Sequence, residues 1–246
     1  MLKVVLAGTY PAHTYEKLRK LLPEDQFDFV AVDKQEEYDA MTDAEVIILR
    51  IFKAPKEVID RNPDLKMILR WGAGFDSVDI EAAGAKGILV TNTPGANANA
   101  VSELAVTLML TVYRKILEHT DSLRNGAWSK NTYLNSSFSL FGKLVGIVGG
   151  GNIGRQVAAK VQAFGAEVQY YDAFRLPEEM EEKCGMKYVS LEELIRTSDV
   201  ITLHVPLLDS TRHMIGADQL RAMKDGAVLS TPPGAAWWTI MRCARR

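Results

Sequence analysis

Gly149-Gly150-Gly151-Asn152-Ile153-Gly154 sets three glycines at the spacing G-x-G-x-x-G. Such a turn can hold a phosphate when an apolar strand runs into it and a helix leaves it. Leu144-Val145-Gly146-Ile147-Val148 supplies the strand, and the apolar spacing from Ile153 to Phe164 supplies the helix. Gly149 permits the tight turn, Gly151 lets a pyrophosphate approach the backbone, and Gly154 lets the helix pack against the strand. The helix N-terminus adds unpaired N–H groups and a partial positive charge. Asp172, eighteen residues beyond Gly154, closes the next apolar run, Glu167–Tyr171. Its carboxylate can accept both hydroxyls of an adenosine ribose. It also repels a 2′-phosphate, since unit charges about 4 Å apart interact by roughly 4 kcal/mol at an effective dielectric of about 20. The segment from Lys143 to Asp172 therefore reads as a dinucleotide site with NAD as its preferred cofactor. Arg175, three residues on, is the one residue that opposes this preference, because a nearby cation offsets the repulsion.

The elements that must position this turn alternate along the whole chain. Strand-like runs at Lys3–Ala7, Phe27–Val32, Val46–Leu49, Met67–Arg70 and Ile88–Thr91 are separated by turn residues, with an amphipathic helix at Tyr15–Leu22. This is the rhythm of an open parallel sheet. The breaker cluster Asn92-Thr93-Pro94-Gly95-Ala96-Asn97 precedes a helix-compatible stretch from Ala98 to about Leu123 and marks a domain crossing. A second series begins after the loop from Asn125 to Phe141. It comprises Leu144–Val148, a helix Ile153–Phe164, Glu167–Tyr171, a helix Leu191–Thr197, Val200–His204 and Ala227–Leu229.

Bulk properties narrow the class. A chain of 246 residues, 47% hydrophobic, suits two domains of roughly 100 to 120 residues each. Its 29 basic and 31 acidic residues nearly cancel and are scattered, which argues against a nucleic-acid partner. No apolar run approaches the length of a membrane span, and the N-terminal run is too short for a signal peptide. Cys184 and Cys243 are too few for a disulfide framework, so a cytoplasmic location is expected.

Five ordered segments resemble the D-2-hydroxyacid dehydrogenase family, which includes glyoxylate/hydroxypyruvate reductases and phosphoglycerate dehydrogenase. They are Arg70-Trp71-Gly72-Ala73-Gly74-Phe75-Asp76-Ser77-Val78-Asp79, Thr93-Pro94-Gly95-Ala96-Asn97 with Val101-Ser102-Glu103, Asn125-Gly126-Ala127-Trp128, the glycine turn, and His204-Val205-Pro206-Leu207. The resemblance implies two doubly wound parallel-sheet α/β domains, a flavodoxin-like substrate domain over residues 1–98 and an incomplete Rossmann NAD-binding domain over 99–229, with the active site in the cleft between them. It implies hydride transfer between NAD and C2 of a small 2-hydroxy or 2-oxo acid. Ala73 and Gly74 resemble the turn whose N–H groups face the substrate carboxylate and, at Ala73, the nicotinamide end. Asn152 and Ile153 match the pair that contacts the pyrophosphate. Val205 and Pro206 match the segment beside the adenosine half, and His204 matches a strand-end histidine beside the cofactor rather than the acid/base. His13, His119 and His213 read as loop or helix-surface residues, and Glu103 as a local pairing partner. A homodimer through the Rossmann domain is the family habit. A NAD-sensing, corepressor-like module and a formate dehydrogenase are the alternative readings.

The tail departs from the resemblance. The family's arginine comes after the strand corresponding to Ala227–Leu229 in a motif Asn-x-Ala-Arg-Gly, and its carboxylate and histidine come later. Here the sequence from Ser230 to Arg246 contains Pro232-Pro233 and Trp237-Trp238, which fit no Rossmann continuation. Permissible codons from Leu229 onward, with one G inserted after the first, read Leu-Val-Asn-Thr-Ala-Arg-Gly-Gly-Leu-Val-Asp. The expectation is a single-base deletion that puts residues 230–246 out of frame and leaves no catalytic residue in place. The chain is then an NAD binder impaired in turnover and prone to aggregate. Resequencing the 3′ end of the coding DNA tests this, and a genuine in-frame stop with no dehydrogenase reading after one added base would overturn it.

Overall fold

Strand residues in each half of the chain alternate between two apolar faces, as expected of parallel sheets covered on both sides. The computed structural model describes residues 1–128 and 130–231, and the chain divides into two units, Met1–Asn97 and Ala98–Arg246. The first contains β1 (Leu2–Ala7), α1 (Thr14–Leu21), β2 (Phe27–Val32), α2 (Gln35–Ala40), β3 (Val46–Leu49), α3 (Lys56–Arg61), β4 (Met67–Arg70), α4 (Ile80–Ala85) and β5 (Leu89–Asn92). Its strands are parallel in the order β2-β1-β3-β4-β5, the flavodoxin-like arrangement. Val5, Ala7, Ile47, Leu49 and Ile68 pack into one core, and Val4, Leu6 and Ile48 into another on the opposite face. Each valine, leucine or isoleucine among them contributes about 1.5–3 kcal/mol when fully buried.

The second unit contains α5 (Ala98–Tyr113), α6 (Ile116–Arg124), β6 (Leu144–Val148), α7 (Asn152–Ala163), β7 (Glu167–Tyr171), α8 (Glu178–Cys184), β8 (Lys187–Tyr188), α9 (Leu191–Thr197), β9 (Val200–Leu203), α10 (Ala217–Ala222) and β10 (Val228–Ser230). The order β10-β9-β6-β7-β8, all parallel, is the Rossmann order with β6 as its first strand. Val145, Ile147, Val168 and Tyr170 face one core, while Val148, Ile201 and Leu203 face the other.

Several sequence expectations need correction. The helix expected from Ala98 to about Leu123 is two helices, broken at Lys115, which adopts φ 53°. The Tyr113 carbonyl that would continue the first helix instead accepts from the Phe138 N–H at 2.8 Å. The last strand runs to Ser230, which pairs with Thr202, rather than ending at Leu229. Ser230 is buried, and its hydroxyl has no partner among the described residues. Residues 232–246 of the expected out-of-frame tail lie outside the described residues. Among the described residues, no helix is long and apolar enough to cross a membrane.

Candidate dinucleotide site

In the second unit, connections from β6 lead to β7 on one side and from β9 to β10 on the other, so β6 and β9 flank a topological switch point. Ligands of open α/β sheets bind outside the carboxyl ends of the strands at such a point. Gly149 follows β6 there with φ 106°, and a Cβ on it would stand 2.8 Å from the carbonyl carbon and oxygen of His204, which follows β9. The His204 N–H donates to the Val148 carbonyl at 2.7 Å and the Gly149 N–H to the Tyr171 carbonyl at 2.8 Å, which pins the turn to both neighbouring strands. A Cβ on Gly154 would lie 2.0 Å from the Gly149 carbonyl oxygen, so that glycine lets the first turn of α7 fold onto the loop. Gly151 is different. An added Cβ there would meet nothing within 4 Å.

The backbone N–H groups of Gly151, Asn152 and Ile153 donate no hydrogen bond among the described residues. They are the orphan donors of a twelve-residue helix and point where the macrodipole is positive. The side chain of Asn152 turns back to accept from Arg155 Nη2 at 2.8 Å, and Ile153 packs against the core. Open space over Gly151 with three unpaired donors beside it fits a pyrophosphate.

Asp172 sits at the end of β7 and is tied to the same turn. Its Oδ2 accepts from the Gly150 N–H at 2.8 Å and its Oδ1 from the Phe174 N–H at 3.1 Å. A carboxylate has about four lone-pair sites, so two backbone bonds leave acceptors for a ribose diol. The tie to Gly150 was not legible in the sequence, where only the strand-end acid stood out. Arg175 is engaged elsewhere: its Nε and Nη2 each lie 2.8 Å from a carboxylate oxygen of Glu181.

His204 accompanies the turn through its backbone, while its ring Nε2 lies 2.9 Å from Thr202 Oγ1. Burial holds its pKa down at about 4, against an ordinary 6.5, so the ring is neutral at physiological pH. Val205 is half-buried against the core beneath the site, and the Pro206 carbonyl accepts from Thr211 Oγ1 at 2.6 Å, closing the loop after β9. The remaining histidines belong to other segments. His13 caps α1 with φ 63° beside Glu16, His119 on α6 packs edge-on against Tyr133, and His213 lies in the loop before α10 with φ 55°. Glu103 accepts from Asn99 Nδ2 at 2.7 Å.

Residues 106–231 match the family described as "D-isomer specific 2-hydroxyacid dehydrogenase, NAD binding domain". The chain belongs to this family. It is 41% identical over 212 residues to the glyoxylate reductase of Thermococcus litoralis, a match covering 84% of this chain and 62% of that protein. The chain thus spans less than two thirds of that relative's length. Among solved structures, a glyoxylate reductase from Paecilomyes thermophila is 30% identical with a TM-score of 0.84, covering 96% of this chain and 75% of that one. A NAD-dependent formate dehydrogenase from Staphylococcus aureus in complex with NAD is 28% identical with a TM-score of 0.83, covering 97% and 75%. NAD is the cofactor of this family's binding domain.

The first unit has its own switch point, between β1 and β3. The β4–α4 loop beside it places Ala73 and Gly74, and their N–H groups donate no hydrogen bond among the described residues. The Ala73 carbonyl is fixed by Asn92 Nδ2 at 2.7 Å. Two arginines stand at this edge. The Arg50 guanidinium lies 5.9 Å from the Tyr10 ring centroid and donates to the Thr9 carbonyl, and Arg70 donates to Ser77 Oγ at 3.1 Å and to the Trp71 carbonyl. Sequence reasoning passed over Arg50. The signal available was its place directly after a buried strand, where an open sheet presents side chains to ligands.

Proposed function

We propose that this chain binds NAD with the pyrophosphate on the amides of Gly151, Asn152 and Ile153 and the adenosine ribose on Asp172. Gly149 and Gly154 shape the turn, and the backbone of His204, Val205 and Pro206 borders the cofactor. The observation that carries this reading is the open space over Gly151 beside three unpaired amides, with the Asp172 carboxylate anchored to the same turn. In the first unit, the Ala73 and Gly74 amides bind the carboxylate of a small 2-hydroxy or 2-oxo acid, supported by the cationic edge at Arg50 and Arg70.

The reaction proposed for the full-length form is NAD-dependent hydride transfer at C2 of that acid in the cytoplasm. Bound NAD supplies the hydride acceptor or donor. The carbonyl oxygen also needs a proton from a group that titrates near the working pH. His204 does not meet that need, because burial keeps it neutral down to about pH 4. With the out-of-frame tail expected from the sequence, the proposal for the 246-residue chain is NADH binding with little turnover. Titration of NADH fluorescence tests binding, and NADH oxidation with glyoxylate or hydroxypyruvate tests turnover. Quenching without oxidation is expected, whereas steady oxidation would overturn the impaired reading.

A homodimer is proposed through α5. Leu104, Leu108 and Val112 recur at four-residue spacing on the exposed face of that helix and are 42%, 37% and 46% exposed, an apolar stripe opposite the buried face at Ser102, Ala105, Val106 and Met109.

A further inference from the structure

Arg175 lies in the five-residue loop after Asp172, where a long cationic side chain would be expected to admit a ribose 2′-phosphate. The structure directs it away from that task. Its guanidinium makes a two-pronged pair with Glu181 on α8, at 2.8 Å on each side, and stacks over the Tyr188 ring at 5.3 Å. Glu181 is itself held. Its Oε1 accepts from the Tyr170 hydroxyl at 2.7 Å, and the same hydroxyl accepts from the Leu176 N–H at 2.9 Å. Tyr188 packs edge-on against buried Tyr170 at 5.4 Å and leans its hydroxyl toward the Asp172 carbonyl at 3.5 Å.

Surface ion pairs usually contribute little, but two-pronged arginine–carboxylate geometry is the exception. Here the carboxylate side chain is only 11% exposed, while the arginine is 60% exposed. The carboxylate is the fixed partner and the arginine the captive one. The Arg175 guanidinium first, and then the Tyr170 hydroxyl, hold the Glu181 pKa at about 2, so the pair persists at any working pH.

We infer that Glu181, with Tyr188 behind it, is a specificity-determining positioning residue: it sequesters Arg175 so that Asp172 meets the adenosine ribose with no cation beside it, which excludes a 2′-phosphate. This rests on the reading of the glycine turn and Asp172 as the dinucleotide site. Releasing Arg175 leaves a mobile guanidinium three residues from Asp172, able to pair with a 2′-phosphate and offset the carboxylate's repulsion.

The test is a nucleotide titration of the 246-residue chain at low salt. Glu181→Gln keeps the shape and the bond to Tyr170 but removes the charge that holds Arg175. NADPH should bind Glu181→Gln at least fivefold more tightly than wild type, while NADH affinity stays within twofold. The gain should disappear in the double variant Arg175→Ala/Glu181→Gln and shrink as salt rises. The double variant lacks the same ion pair, so loss of stability alone cannot produce the difference between the two. An NADPH affinity unchanged in Glu181→Gln while NADH binds normally would overturn the proposal, as would a gain that persists in the double variant. A wild-type chain that binds neither nucleotide would overturn the dinucleotide reading, and this proposal with it.

Discussion

Three of the four glycines at residues 149–154, Gly149, Gly151 and Gly154, do three different jobs, so substituting each with alanine should separate folding from binding. At Gly154 the added Cβ would sit 2.0 Å from a backbone oxygen, and neither the first turn of α7 nor the loop can withdraw without breaking its hydrogen bonds. The cost should reach or exceed the roughly 1–3 kcal/mol typical of overpacking. At Gly149 the φ of 106° and a 2.8 Å approach to the His204 backbone add a conformational cost of about 1–2 kcal/mol to a clash. At Gly151 the backbone has φ −68° and ψ −166°, which any residue can adopt, and the Cβ meets nothing. Gly151→Ala should leave stability unchanged or raise it by about 0.4–1 kcal/mol, because alanine restricts the unfolded chain. Its methyl group would occupy the space proposed for the pyrophosphate, so NADH affinity should fall at least tenfold, about 1.4 kcal/mol. Urea unfolding and NADH fluorescence titration measure the two quantities. Against a total stability of about 5–15 kcal/mol, the Gly154 and Gly149 effects are readily resolved. Gly151→Ala binding NADH as well as wild type would refute the assignment, and Gly151→Ala unfolding as readily as Gly154→Ala would refute the steric reasoning.

The same geometry sets four further outcomes. His204 has a folded pKa near 4, below its ordinary 6.5, so its contribution to stability is complete above about pH 6.5 and is lost as pH falls toward 4. The total is roughly 3 kcal/mol; urea unfolding of His204→Gln should show a correspondingly shallower decline over that window, and parallel curves would sink the idea. Asp172→Ala strands the Gly150 N–H, so it should cost about 1–3 kcal/mol of stability as well as NADH binding, and a loss of binding alone would contradict the tie. A Cβ on Gly146 would lie 2.1 Å from Ser198 Oγ and 2.7 Å from Leu194, so Gly146→Ala should force α9 off β6 and lower the thermal midpoint by several degrees. Leu108→Asp should turn a dimer into a monomer in sedimentation velocity, and an unchanged dimer would move the interface elsewhere.

Most strands were legible because buried parallel strands are short apolar runs bounded by turns. Phe27–Val32, Val46–Leu49, Met67–Arg70, Leu144–Val148 and Glu167–Tyr171 coincide in sequence and structure. The six-residue helices α2, α3, α4 and α10 were not legible, since fewer than two turns show no usable period. Their caps are visible only afterwards; α4, for instance, begins where Asp79 Oδ1 accepts from the Ala82 N–H at 2.9 Å. In the site, the glycines and Asp172 announced themselves by spacing. The partners that decide what those residues do carry no spacing signal of their own. Glu181, in the first turn of α8, captures Arg175 six residues back in the preceding loop, and Ser198 with Leu194, about fifty residues on, explains why Gly146 is a glycine inside a strand.

The two units also show that topology alone does not make a nucleotide site. Gly8 follows β1 with φ 113°, and a Cβ there would meet Ile51 N after β3 at 3.0 Å. Gly149 follows β6 with φ 106°, and a Cβ there would meet Val205 N after β9 at 3.0 Å. The same residue solves the same problem at both switch points. The chain then diverges. After Gly149 it enters α7 at Asn152, so the amides of the first turn stand unpaired beside the open face of Gly151. After Gly8 it takes six residues to reach α1 at Thr14, and Tyr10 fills the position over the strand ends. Its hydroxyl donates to the Ile48 carbonyl at 2.6 Å, and its ring meets Trp71 edge-on at 5.4 Å. Burial holds the Tyr10 phenol well above its usual range, so it remains a donor to that carbonyl and closes the edge. The groups left at that edge are cationic side chains, Arg50 and Arg70, rather than helix amides. This contrast supports the proposal that the first unit takes a small carboxylate and the second a pyrophosphate, a division of labour set by the segment leaving the glycine rather than by the sheet that precedes it.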